Sequence, residues 1–68
     1  PQETAGENLF DVITTLPEKY REVLYLYYYE EYKIREIAKI LRQKQNTINS
    51  KLTRARDKLK KIMEVNNE

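Results

Sequence analysis

The residues with the most chemical capacity in this chain are cations and small hydrogen-bonding side chains in its second half. Between Lys39 and Lys61 there are nine Lys or Arg residues and one acid, Asp57. Asn, Ser, Thr and Arg, whose side chains hydrogen-bond base edges in the major groove of DNA, are interleaved with these cations. Cations at this density neutralise several backbone phosphates. The pattern therefore favours a nucleic-acid contact over a helix face that only meets solvent.

The residue types needed for most enzyme chemistry are absent from the sequence. Its 68 residues include no histidine and no cysteine, so the usual zinc, serine-hydrolase and general-base arrangements are missing. We therefore expect no enzyme, no catalytic residue, no metal and no cofactor. No apolar run approaches the roughly 18 residues of a membrane span, so we expect no membrane contact and a cytoplasmic location.

Charge is divided unevenly along the chain. Residues 1–31 carry two cations, Lys19 and Arg21, against seven acids, whereas residues 32–68 carry eleven cations against four acids. This division predicts a basic face for a polyanion and an acidic face elsewhere. Because the chain begins with Pro1 rather than Met, we also expect it to be a piece of a longer protein.

The elements that must position these residues are helices. Apolar residues recur at helical spacing, and one glycine and two prolines are too few for a turn-rich β fold. The predicted helices cover about 7–15, 17–29, a segment from Ile34 to Leu41, and 46–63. We expect residues 1–6 to be a linker end, 7–63 to form the domain and 64–68 to be a frayed tail. The predicted fold class is all-α: four helices ending in a helix-turn-helix, without winged elements.

The last two predicted helices, joined by four polar residues from Arg42 to Gln45, have the outline of a helix-turn-helix. In the last helix the apolar residues Ile48, Leu52, Ala55 and Leu59 share the inward face. The outward residues are then Asn49, Ser50, Thr53, Arg54, Asp57 and Lys58, with Lys51 and Arg56 on the flanks.

Six tyrosines exceed what a core of this size can hold. Tyr20, Tyr27 and Tyr28 fall on the apolar stripe of the second helix and are predicted to be core residues. The others are Tyr25, Tyr29 and Tyr32. For these, a partner surface and plain exposure remain open alternatives.

Three motifs in order resemble region 4 of bacterial sigma factors, most closely the extracytoplasmic-function (ECF) group. They are LPEKYREVL at 16–24, REIAKIL at 35–41 and NTINSKLTRAR at 46–56. The resemblance covers residues 9–63. It implies reading of the −35 promoter element in double-stranded DNA by the start of the last helix. It also implies docking on the β-subunit flap of RNA polymerase, and control by an anti-sigma protein that covers the same surfaces.

The resemblance also implies roles for individual residues. The base-reading positions are Asn49, Ser50, Thr53 and Arg54. The DNA-backbone positions are Thr47, Lys51 and Arg56, to which we add Lys58 and the turn cations Arg42 and Lys44. The polymerase-binding positions are Tyr25, Leu26 and Tyr29.

The chain departs from the family pattern at its turns. Glu31 and Arg42 stand where the family usually has glycine, and Lys33 and Lys44 stand where it usually has Ser or Thr as a helix cap. A left-handed Arg42 costs on the order of 1 kcal/mol. Loss of the cap at Lys44 costs about 1 kcal/mol more unless Asn46 takes over as the cap.

Two other functions remain as alternatives. The output domain of a response-regulator-type activator has similar helix-turn-helix motifs but usually lacks the Leu-Pro start and the Arg-Ala-Arg run. A helical protein-interaction module would bind a partner rather than DNA. Binding to duplex DNA at two salt concentrations distinguishes a protein-interaction module from the two DNA-binding functions, because phosphate-driven binding falls steeply with salt.

Overall fold

The computed structural model describes residues 10–66, and the side chains of residues 10–64. Helix α1 covers 10–15 of the described residues, and α2 covers Glu18–Leu24 and continues as a π-helical turn, Tyr25–Tyr29. Helices α3 and α4 cover Ile34–Leu41 and Gln45–Asn66. No strand occurs in this part of the chain, which confirms the all-α prediction there. The predicted linker end at 1–6 and helix start at residue 7 lie outside the described residues.

Proline sets the boundary between α1 and α2. The hydroxyls of Thr14 and Thr15 donate to carbonyls three residues back, at 2.6 Å each, within the last turn of α1. The carbonyl of Pro17 then accepts the first two hydrogen bonds of α2, from the backbone N–H groups of Tyr20 at 2.9 Å and Arg21 at 3.0 Å. Pro17 itself donates no hydrogen bond and stands immediately before the helix, one residue earlier than predicted.

The π-helical turn changes which tyrosines face the core. In a π turn each N–H bonds to the carbonyl five residues back, as Glu30 does to Tyr25 at 3.0 Å. A π turn therefore contains more residues than an α-helical turn. The side chains that follow are rotated away from the positions that would continue the apolar stripe of α2. Tyr27 is half-buried and Tyr28 is 49% exposed. The prediction that Tyr28 is a core residue is wrong for this reason.

Both backbone positions that favour glycine adopt left-handed conformations here. Glu31 has φ 62° after the π turn, where the N–H of Tyr32 donates to the carbonyl of Leu26 at 2.9 Å. Arg42 has φ 58° and ψ 47° and ends α3 in a Schellman motif. The two bonds of that motif run from Arg42 to Lys39 and from Gln43 to Ala38. The chain thus makes both turns without the glycines that the resemblance would place there.

The helix starts after these turns use backbone and carboxylate groups. At the start of α3 a carboxylate oxygen of Glu36 accepts the backbone N–H of Lys33 at 2.7 Å. Helix α4 begins at Gln45, with the Lys44 carbonyl accepting from Ile48 at 3.1 Å. Asn46 therefore lies inside the first turn and does not take over as the cap of this helix. The helix also continues to Asn66, beyond the predicted end at Met63.

The core lies where α4 crosses the other helices. Helix α4 packs against α2 and α3. The side chains with no exposed surface are Val23, Leu24, Ile37, Ile48, Leu52 and Ala55. Ile13 and Leu16 of the α1 segment belong to the same buried cluster. Among the described residues, no helix combines the length and apolar character needed to cross a membrane.

Candidate nucleic-acid interface

Helix α4 presents one polar face to solvent because its opposite face is fixed in the core. Ile48, Leu52 and Ala55 are completely buried between α4 and its neighbours. Their burial sets the rotation of the helix. All of the residues predicted to read bases are consequently exposed: Asn49, Ser50, Thr53 and Arg54.

These side chains differ in what they can still bind. The Thr53 hydroxyl donates to the Asn49 carbonyl at 3.0 Å, so Thr53 Oγ1 can still accept a hydrogen bond but has no second proton to donate. Arg54 keeps its planar set of five N–H donors, since no hydrogen bond or salt bridge engages it among the described residues. A guanidinium of this kind bonds two acceptors of one guanine.

A cleft of about 300 Å³ runs between the start of α2 and the first turns of α4. It gathers four of the residues predicted to contact DNA, and it adds Lys19, which the sequence did not indicate. The lining residues are Lys19, Tyr20, Asn46, Thr47, Ser50, Lys51 and Arg54. Because the lining is basic and rich in hydroxyl and amide groups, the cleft suits an anionic oxygen ligand.

The cleft continues along the same flank of α4 into a second one of about 550 Å³, lined by Tyr20, Thr53, Arg54, Asp57, Lys58 and Lys61. Its one acid, Asp57, is paired with Lys61 at 3.2 Å, with both side chains well exposed. Within the described part of the chain, neither Arg54 nor Lys58 forms a salt bridge, so their positive charge is not neutralised there. The predicted backbone contact Lys58 lies on the flank that also holds Ser50 and Arg54.

The turn before α4 supplies further predicted backbone contacts. Arg42 and Lys44 are exposed. Lys51 is half-buried, and its ammonium donates to Gln43 Oε1 at 2.8 Å. This bond joins the turn to α4 across eight residues and holds Lys51 beside the cleft.

Arg56 is placed differently from the other predicted DNA-backbone residues. Its Nε donates to the Tyr28 hydroxyl at 2.7 Å, and its guanidinium lies 5.2 Å and 5.7 Å from the ring centres of Tyr27 and Tyr28. The hydrogen bond to Tyr28 is the main cause that raises the pKa of Arg56 above its ordinary value. Arg56 lines neither cleft, so the structure shows it as a link between α4 and the π turn.

The predicted polymerase-binding residues lie around that π turn. Tyr25 and Leu26 are half-buried and Tyr29 is 47% exposed. The rings of Tyr25 and Tyr29 lie 5.6 Å apart, and Phe10 packs on both at 5.9 Å and 6.3 Å. Phe10, Tyr25 and Tyr29 are called the aromatic cluster below. Beside it, a largely apolar cavity of about 440 Å³ is lined by Ile13, Tyr28, Tyr29 and Leu59.

Sequence reasoning missed three contributions to these surfaces. Lys19 belongs to the acidic half of the chain and gave no signal of a ligand. The contact between Arg56 and Tyr28 joins residues 28 positions apart, which no local spacing indicates. Phe10 lies at helical spacing from the buried Ile13, yet it is 48% exposed and belongs to the aromatic cluster.

Comparison with known proteins gives one match. The family model described as Sigma-70, region 4 matches residues 6–59, most of the 68 residues. Comparisons with curated proteins and with solved structures find no match. The matched segment contains the two clefts' α2 residues, all of α3 and the part of α4 that carries the exposed polar face.

Proposed function

The chain belongs to the sigma-70 region 4 family, and from this premise we propose that it reads the −35 element of a promoter through the exposed face of α4. Domains of this family bind DNA and act in sigma-factor-type promoter recognition. They are regulatory domains rather than enzymes. This match also favours a sigma factor over the output domain of an activator. Membership of the ECF group stays a prediction.

One observation carries the proposal. The face of α4 opposite its fully buried residues presents Asn49, Ser50 and Arg54 beside a basic cleft. A recognition helix needs this arrangement, because phosphate contacts fix its position while side chains at its start reach base edges. In the proposal, Arg54 bonds a guanine and Thr47, Lys51, Lys58, Arg42 and Lys44 hold backbone phosphates.

The aromatic cluster, together with Leu26, is proposed to dock on the β-subunit flap of RNA polymerase. Tyr29 is half exposed, and the adjoining cavity is lined almost entirely by apolar atoms. A patch of this kind is suited to receive an apolar side chain of a partner. An anti-sigma protein that covers either surface would prevent promoter recognition. The place of action would be the cytoplasm, where bacterial promoters and RNA polymerase meet.

The function is tested with duplexes enriched by the protein from a pool with a randomised segment. We expect one enriched sequence, bound with an affinity that falls steeply as salt rises. Arg54→Ala should cost about 1–3 kcal/mol on that sequence and relax discrimination at one base pair. Lys58→Ala is the matched comparison and should weaken all duplexes alike.

Two results would contradict the proposal. If no duplex is enriched and salt does not affect binding, the chain is a protein-interaction module instead. If Arg54→Ala weakens every single-base variant equally, Arg54 is a phosphate contact and the base-reading face has been assigned to the wrong residue.

A further inference from the structure

Two lysines from different helices lie against the same tyrosine ring. The ammonium of Lys19, in α2, is 5.2 Å from the centre of the Tyr20 ring, and that of Lys58, in α4, is 5.8 Å from it. Tyr20 is a core residue with 6% of its surface exposed. Its ring is therefore a fixed support, and the two ammonium groups lie within about 11 Å of each other.

This pair lies where the two basic clefts meet. Tyr20 lines both clefts, Lys19 lines the one nearer the start of α4, and Lys58 lines the other. Arg54 also lines both. Among the described residues, neither lysine forms a salt bridge, although Lys19 belongs to the acidic half of the chain. Two cations are thus held together next to a base-reading candidate without an acid to neutralise them.

We propose that Lys19 and Lys58, supported by the Tyr20 ring, form a seat for one phosphate group of the DNA backbone. The proposal rests on the proposed DNA-binding function and adds Lys19 to it. An ammonium donates to a phosphate oxygen at about 2.7–2.9 Å. Because the two ammonium groups are at most about 11 Å apart and lysine side chains are flexible, both can reach one phosphate placed between them. A phosphate held there lies next to Arg54. It therefore fixes the position of the DNA backbone relative to the base that Arg54 contacts.

The seat gives Lys19 a role that its neighbours lack. Arg21, the other cation of residues 1–31, directs its Nη1 to the carbonyl of Leu16 at 3.3 Å and so supports the α1–α2 junction. Lys60, on α4, lines neither cleft and does not lie over the Tyr20 ring as Lys19 and Lys58 do. Lys60 is also exposed, so it is a control of equal charge on the same helix as Lys58.

The test measures duplex binding over a range of salt for Lys19→Ala, Lys58→Ala, the double variant and Lys60→Ala. Lys19→Ala should reduce the magnitude of the salt slope by about one unit, and it should weaken binding on the order of five- to tenfold near 0.1 M salt. If both lysines hold one phosphate, the double variant should lose little more slope than either single variant. Lys19→Arg should retain most of the affinity, because it keeps the charge and the donors.

Three outcomes separate this proposal from the function on which it rests. Equal effects of Lys19→Ala and Lys60→Ala would overturn the seat, even if Arg54→Ala still changes base preference. Slope losses that add to about two units in the double variant would also overturn it, since each lysine would then hold its own phosphate. Failure of the unmodified protein to bind duplex DNA would instead remove the proposed function. Circular dichroism of each variant checks folding, which exposed Lys19 should not affect.

Discussion

At the scale of single residues, the turns of this protein carry a conformational cost that glycine would avoid. Glu31 and Arg42 both have positive φ values, 62° and 58°. For a residue with a Cβ atom, this left-handed backbone conformation is unfavourable by roughly 1–2 kcal/mol. Arg42 lies in the turn before α4 and is exposed there. The phosphate contact proposed for Arg42 would compensate for this cost.

Replacing Arg42 by glycine should therefore stabilise the fold while weakening the binding of DNA. We expect Arg42→Gly to raise the free energy of unfolding by about 0.5–1 kcal/mol, since glycine adopts the left-handed conformation without a steric penalty but loses more entropy on folding. We also expect it to lower the magnitude of the salt slope for DNA binding by about one unit. Urea denaturation and duplex titration measure the two effects.

Glu31→Gly is the matched variant for that experiment. It relieves a left-handed residue in the same way but removes an acid from the loop before α3. Its stability should rise by a similar amount and its DNA affinity should not fall. If Arg42→Gly leaves the salt slope unchanged, Arg42 does not contact a phosphate.

At the scale of elements, the π turn joins the recognition helix to the rest of the domain. Arg56 of α4 donates to Tyr28 and lies over the rings of Tyr27 and Tyr28. The wider turn places Tyr28 outside the apolar stripe and within reach of α4. Tyr28 also lines the apolar cavity beside the aromatic cluster. One side chain thus contacts α4 and also lines the cavity beside the proposed partner surface.

Removing only the Tyr28 hydroxyl tests this link. Tyr28→Phe keeps the ring but removes the acceptor for Arg56 Nε, and it should lower the free energy of unfolding by about 0.5–1 kcal/mol, since both side chains are exposed. Tyr29→Phe is the control, because the Tyr29 hydroxyl forms no hydrogen bond with any described residue. In a double-mutant cycle, Arg56→Ala should cost less in the Tyr28→Phe background than in the original protein. Additive losses would show that the contact contributes nothing to stability.

At the scale of the whole molecule, the basic clefts and the aromatic cluster are built from different residues. Lys19, Ser50 and Arg54 line the first cleft, whereas Phe10, Tyr25 and Tyr29 form the cluster. The two functions proposed for these surfaces should therefore respond to different substitutions.

A charge placed in the aromatic cluster should affect only the partner. We expect Tyr29→Asp to weaken binding to a fragment containing the β flap at least tenfold, because burying an unpaired carboxylate in an apolar contact is costly. Duplex affinity should change little. Tyr32→Asp introduces the same charge at an exposed tyrosine outside the cluster and should leave flap binding nearly unchanged. Equal losses of flap binding in both variants would refute the assignment of the docking surface.

The sequence alone determined the helices, the inward face of α4 and the family. These properties depend on local spacing: Ile48, Leu52 and Ala55 recur at helical intervals, and all three are fully buried. The same spacing required Asn49, Ser50 and Arg54 to face outward, as they do. Arg42 is left-handed, the conformation favoured by the glycine that the resemblance places at this position. The DNA-contact roles of these residues remain predictions.

Only the tertiary structure decided which side chains share a surface. The π turn shifted Tyr28 from the predicted core to a contact with Arg56, and packing of α2 on α4 brought Lys19 beside Lys58. Both contacts join residues far apart in the chain, and their geometry depends on how two helices cross. Periodicity fixes the rotation of each helix about its own axis. It does not fix the crossing, so a cation from the acidic half could reach the basic surface without any sign in the sequence.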